Sequence, residues 1–262
     1  MLFAHPDVFS CPETFFFIRA INGTGRRHRL GLASAAVQPA FATLVELGLS
    51  DRRPPVRRLP RRESTCARWF TAAMDSSAAA TGARLWVEKT PGHLTRIDTI
   101  QRHVPRARFI HMIREGEPTV ASLYDVTQRY PDWDGPRSLE ACARRWSRDI
   151  AISADCAQHP GHAFVSYERL VAEPERVLRA LCGFLALELD PDGATLAVMI
   201  QRRARATAGV SRSDERWKTE VGGDMRNRNA ERIERLFDDR RRALVRELVS
   251  GAEAQRERLP FL

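Results

Sequence analysis

Glu88 and Lys89, followed by Arg114 and Ser122, are the residues of this 262-residue chain whose types and spacing point to chemistry. Each pair begins where an apolar run gives way to a turn, Trp86-Val-Glu-Lys-Thr-Pro-Gly-His93 in the first case and Arg108-Phe-Ile-His-Met-Ile-Arg114 in the second. A guanidinium fork at the end of one run, a hydroxyl eight residues later and a helix start at Pro118 between them suit an oxyanion such as a phosphate. Spacing leaves a plainer alternative open, in which Arg114 pairs with Glu115 or Glu117 and Lys89 is a surface partner of Glu88.

Both apolar runs are short, are bounded by turn signals and lead into helical patterns, the signature of βαβ units and an α/β fold with a parallel sheet flanked by helices. Ligands of such sheets bind at the carboxyl ends of the strands, where Glu88, Lys89 and Arg114 fall. Thr90 and Pro91 predict a capped helix start, followed by an apolar stripe of Leu94, Ile97, Ile100 and Val104. Further helices are predicted over Ala35–Leu47, Thr65–Ala80, Leu139–Ser153, Pro174–Leu185 and Ala230–Leu248, with a strand over Ala163–Tyr167. Prolines and like charges from Asp51 to Glu63 read as a solvated loop or as a lip attracting acidic acceptors. The reading is one domain over residues 1–262, with a variable acceptor-side region at about 23–82.

Taken in order, these segments resemble the sulfotransferases that use 3′-phosphoadenosine 5′-phosphosulfate (PAPS), in the branch of the tyrosylprotein and heparan sulfate enzymes and their bacterial relatives. The resemblance implies a P-loop-like fold in which Arg114 and Ser122 hold the 3′-phosphate. The segment His5-Pro-Asp-Val-Phe-Ser-Cys-Pro-Glu-Thr-Phe-Phe-Phe17 is similar to the family stretch whose Glu accepts the acceptor's proton, which falls on Glu13. Lys89 matches the Lys near the transferring group. Val165-Ser-Tyr-Glu-Arg-Leu-Val171 matches the strand whose Tyr, here Tyr167, approaches the adenine, and Trp217-Lys218 matches a late loop over the nucleotide, with Arg212 within reach of a phosphate. What the resemblance lacks is the opening strand and Pro-Arg-Ser-Gly-Thr-Thr-like loop for the 5′-phosphosulfate, so the sheet is expected to miss its first strand and the chain to begin late. The implied activity is sulfuryl transfer from PAPS, as co-substrate, to a hydroxyl or amine of unspecified class. The alternative is a truncated or non-catalytic relative that binds nucleotide without turnover. Glu13 must be basic enough and close enough to accept a proton, and Lys89 offsets the growing charge. His93 is a second candidate base, whereas His111 is expected to face the core or a neighbouring helix.

Composition bounds these readings. A hydrophobic share of 43% with 29% charged residues suits a globular domain, and the apolar runs are shorter than the roughly 20 residues a membrane span needs. The expected location is the cytoplasm. A net charge of +9 favours anionic partners, yet no stripe of interleaved Arg and aromatic residues suggests nucleic acid. Lys89 and Lys218 are the only lysines among 42 basic Lys and Arg residues, and both fall in the resembling segments, where a compact ammonium serves better than a planar fork. Five scattered cysteines without metal-ligand spacing read as buried or free thiols, Cys142 and Cys182 on helical core stripes, and no metal is called for. The sequence carries neither the Gly-x-x-x-x-Gly-Lys-Ser/Thr loop of a P-loop kinase nor the Gly-x-Ser-x-Gly elbow of a Ser hydrolase.

Overall fold

Parallel strand pairing underlies both halves of the molecule. A computed structural model describes residues 1–21, 25–50, 61–131, 135–201 and 229–262. These form two units, one from the described residues of Met1–Ala107 and Asp190–Gly222, the other from those of Arg108–Leu189 and Gly223–Leu262. Arg212, Trp217 and Lys218 lie outside the described residues, as do residues 51–60 of the basic segment.

In the first unit, β1 (Val8–Ser10) pairs in parallel with β2 (Leu85–Val87), Val8 opposite Leu85 and Ser10 opposite Val87. Around them lie α1 (Phe16–Ala20), α2 (Gly25–Arg29), α3 (Val37–Glu46), α4 (Glu63–Ala80) and α5 (Ile97–His103). Aromatic rings fill the centre: Phe16 stacks on Phe70 at 4.7 Å between centroids and meets Phe41 edge-on at 5.4 Å. Burying each such ring contributes roughly 1.5–3 kcal/mol. Met74 and Phe70 of α4 are buried as the helical spacing predicts. That helix begins earlier than expected, because Glu63 is itself buried and bonds the ring of His28 at 2.7 Å.

Thr90 does not cap a helix through its side chain. Pro91 opens a short 3₁₀-helix, Pro91–Arg96, before α5, and the Thr90 hydroxyl is engaged elsewhere. Ile97 and Ile100 are buried, as the stripe requires.

In the second unit, β3 (Phe109–Ile113) pairs in parallel with β4 (His162–Ser166), with His111 opposite Phe164. The flanking helices are α6 (Gly116–Arg129), α7 (Leu139–Asp155), α8 (Tyr167–Ala172) and α9 (Pro174–Leu185). Two more follow, α10 (Asn229–Leu236) and α11 (Asp239–Arg256). The single helix expected over Ala230–Leu248 is therefore broken in two. Asp238 makes the break: its carboxylate accepts the Arg241 N–H at 2.8 Å, an N-cap that starts a new helix where the periodicity alone runs on. Val120, Cys142, Trp146, Ile150, Phe164, Val245 and Val249 pack into one core. His111 is buried and its Nδ1 lies 3.0 Å from the Ser153 hydroxyl of α7, in keeping with the sequence reading. Cys142 and Cys182 are buried, as their stripes predict.

Candidate active site

The turn from β1 into α1 brings Glu13 to Lys89 at the end of β2. Glu13 is buried, and its Oε1 accepts a hydrogen bond from the Lys89 ammonium, whose side chain remains 56% exposed. Glu88, the neighbour that the simplest reading assigns to Lys89, is engaged otherwise. Its Oε1 accepts from the Thr14 N–H at 3.0 Å, the Thr14 hydroxyl at 2.8 Å and the Thr90 hydroxyl at 2.6 Å. Its Oε2 lies 2.9 Å from His93 Nδ1. Burial by itself pushes the Glu88 carboxyl up, but the donors from His93, Thr90 and Thr14 outweigh it and hold the pKa at about 2.

This network fixes the turn that carries Glu13. Phe15 adopts a left-handed conformation with φ 53°, which a bulky side chain rarely takes. Its N–H bonds the Thr90 hydroxyl at 3.3 Å while the preceding Thr14 is anchored on Glu88, so the strained residue is pinned from both sides. The same network engages His93. Its Nε2 accepts the Phe17 N–H at 3.3 Å, which leaves the proton on Nδ1 facing Glu88, and both ring nitrogens are occupied.

The second unit holds Arg114 and Ser122. They line one cavity of about 290 Å³ together with Thr119, Arg145, Trp146 and Asp149. Three features position Arg114: β3 ends at Ile113, Trp146 Nε1 donates to the Arg114 carbonyl at 3.1 Å, and its guanidinium lies 4.9 Å from the centroid of the Tyr167 ring. Burial is the main cause holding the Arg114 guanidinium below its ordinary pKa. A partly desolvated cation attracts an anion more strongly than an exposed one. Ser122 accepts from Arg232 Nη1 at 3.0 Å, adding a guanidinium beside the hydroxyl. Glu117 does not pair with Arg114 as the plain alternative has it; Arg242 and Arg246 bond it at 3.2 and 2.8 Å. Tyr167 thus backs Arg114.

The start of α6 carries a carboxylate already. Gly116 N–H donates to Glu253 at 2.5 Å and Glu115 N–H to Glu168 at 3.2 Å. A Cβ at Gly116 would stand 3.0 Å from both that Glu253 oxygen and the Trp146 ring. Gly116→Ala is therefore expected to cost about 1–3 kcal/mol of stability through overpacking, measured by urea unfolding. An unchanged midpoint would show that the contact relaxes freely.

A sequence reading could not find Arg232 or Glu253, since their bonds to Ser122 and Gly116 span 110 and 137 residues. Arg145 and Trp146 had a local signal, the helical spacing that places them with Asp149 on α7, but nothing in that spacing marks them as lining an anion site.

Comparison with known proteins gives this geometry its setting. Residues 1–191 match the family model described as the sulfotransferase family. The chain belongs to that family. Among curated relatives, it is 27% identical over 252 residues to the nodulation protein NoeE of Sinorhizobium fredii, covering 84% of this chain and 56% of the relative. It is 30% identical over 99 residues to protein-tyrosine sulfotransferase 1 of Danio rerio, covering 37% of this chain and 28% of that protein. The chain therefore spans little more than half of one relative and under a third of the other. Its fold is that of sulfotransferase domains of known structure. The domain from the curacin biosynthetic pathway aligns with TM-score 0.58 at 15% identity, covering 95% of this chain and 90% of that one. The domain from a Synechococcus olefin synthase aligns with TM-score 0.57 at 19% identity, covering 99% and 89%. Among the described residues, no helix of this chain is long and apolar enough to cross a membrane.

Proposed function

We propose that this sulfotransferase moves a sulfuryl group from PAPS to a hydroxyl or amine acceptor, with Glu13 and Lys89 acting in the transfer and Arg114 and Ser122 holding the 3′-phosphate. The cavity shared by Arg114, Ser122 and Arg145 is the observation that carries this reading, because cationic forks, hydroxyls and one desolvated wall are what a phosphate requires. Tyr167 beneath Arg114 offers a ring face close to where an adenosine phosphate would sit.

The chemistry asks for positioning and charge compensation rather than a metal. As the acceptor oxygen bonds sulfur, its proton passes to Glu13, the sulfur–oxygen bond to the donor phosphate breaks, and the electron pair leaves on that phosphate. Lys89 is suited to follow this charge. Its ammonium neutralises Glu13 at rest, and its exposed four-carbon stem lets it swing to the donor oxygens, freeing the carboxylate to take the proton.

Titration calorimetry with 3′-phosphoadenosine 5′-phosphate tests the binding half. Arg114→Ala is expected to weaken binding by roughly 10–100-fold, the worth of a charge-assisted hydrogen bond. Undiminished binding would remove Arg114 from the phosphate site. No binding by the unaltered chain would remove the nucleotide.

A further inference from the structure

We propose that His111, Cys156 and His162 form a binding site for a thiolate-preferring divalent ion, zinc being the ion whose ligand chemistry they match. One ligand atom from each lies within 4.8 Å of the others. The arrangement follows from the fold of the second unit. Phe109 pairs with His162 and His111 with Phe164, so the two imidazoles project from the same sheet face at diagonal positions, within reach of each other. Cys156 is the C-cap of α7, the helix whose Ser153 lies over that face. Cys156 and His162 lie close in sequence, but His111 comes from another strand, so no complete ligand motif shows along the chain.

Hydrogen bonding fixes which lone pair is presented. The Ser153 hydroxyl donates its single proton to the Asp149 carbonyl at 3.0 Å, so toward His111 Nδ1, also 3.0 Å away, it accepts. His111 therefore carries its proton on Nδ1, and its Nε2 accepts a hydrogen bond from His162 Nδ1 at 2.8 Å; an ion between the rings takes the place of that proton, with His162 keeping its N–H on Nε2. A ring held at one nitrogen, with the lone pair of the other aimed into the site, is how proteins orient a metal-binding histidine.

Zinc–nitrogen and zinc–sulfur bonds of roughly 2.0–2.3 Å need the ligand atoms to close to within about 3.3–3.6 Å of one another. The two nitrogens part by a few tenths of an ångström and the half-exposed Cys156 rotates inward. The His159 ring meets that of His162 edge-on, with centroids 4.9 Å apart. The site lies on the strands rather than past their carboxyl ends, so it is separate from the Arg114 cavity. A bound ion would tie the end of α7 to β3 and β4.

Cobalt(II) titration of the full chain, followed by absorption, provides the test. One equivalent is expected to produce thiolate-to-cobalt charge-transfer and tetrahedral ligand-field bands, both displaced by zinc. Cys156→Ser should abolish the charge-transfer band while leaving the chain folded by circular dichroism. Ser153→Ala should weaken zinc binding by about 10-fold through loss of the His111 orienting bond. Absence of the charge-transfer band in the unaltered protein, or its survival in Cys156→Ser, overturns the proposal.

Discussion

Glu13→Gln is expected to lower sulfuryl transfer by roughly 10²–10⁴-fold, the range spanned by a positioned general base, with little change in nucleotide affinity. The amide keeps the shape of the side chain and can still accept a hydrogen bond from Lys89, but it cannot hold the acceptor's proton. Glu13 belongs to the first unit and Arg114 to the second, so separate measurements of kcat and of 3′-phosphoadenosine 5′-phosphate binding report on separate parts of the chain. Normal turnover by Glu13→Gln would remove the base role and leave the binding assignment standing. Lys89→Ala should fall with it in kcat, and Lys89→Arg should recover little, because a planar fork cannot make the same compact, mobile contact.

The largest effect on stability is expected at Glu88. Its side chain is only 5% exposed and receives three hydrogen bonds on one oxygen, with His93 on the other. Glu88→Ala should destabilise the chain by about 3–5 kcal/mol, the usual cost of stripping a buried charge network of one member. The pH dependence gives a second route to the same magnitude. The folded pKa of about 2 lies below the ordinary 4.5, so the carboxylate contributes stability on the order of 3 kcal/mol above pH 4.5. That contribution fades as pH falls from 4.5 through 2. In urea unfolding, the gap between Glu88→Gln and the unaltered chain should accordingly be wide at pH 7 and narrower at pH 3. A gap independent of pH would mean that shape, not charge, is what Glu88 supplies.

Much of the architecture was legible because local patterns and tertiary packing agree. Strand runs ending at Val87 and Ile113, and helices over residues 139–155 and 174–185, carry their own periodicity and end signals. Where the reading failed, a polar side chain chose a distant partner over a local one. Thr90 turned from capping to bond Glu88 and Phe15, and Glu63 joined the interior by bonding His28. Asp238 shows the converse, a local cap overriding a helical stripe that continues on either side of it. The contact of Glu13 with Lys89 spans 76 residues, and no spacing rule anticipates it; only the likeness to a known family assigned both residues to one reaction, Glu13 as base and Lys89 as the balancing charge. His111 escaped notice as a partner of Cys156 and His162 for a related reason, since the strand register that brings it to them is invisible to a search along the chain.

The carboxylate of Glu253 on the first amide of α6 has a consequence for anion selectivity. Being tethered, it stands at an effective concentration of millimolar order or above, so free sulfate or phosphate must outcompete a permanently supplied rival there. Small dissolved anions are thereby turned away from the dipole end of that helix. An anion fastened to a larger molecule, with further contacts of its own, is under no such handicap at the Arg114 cavity.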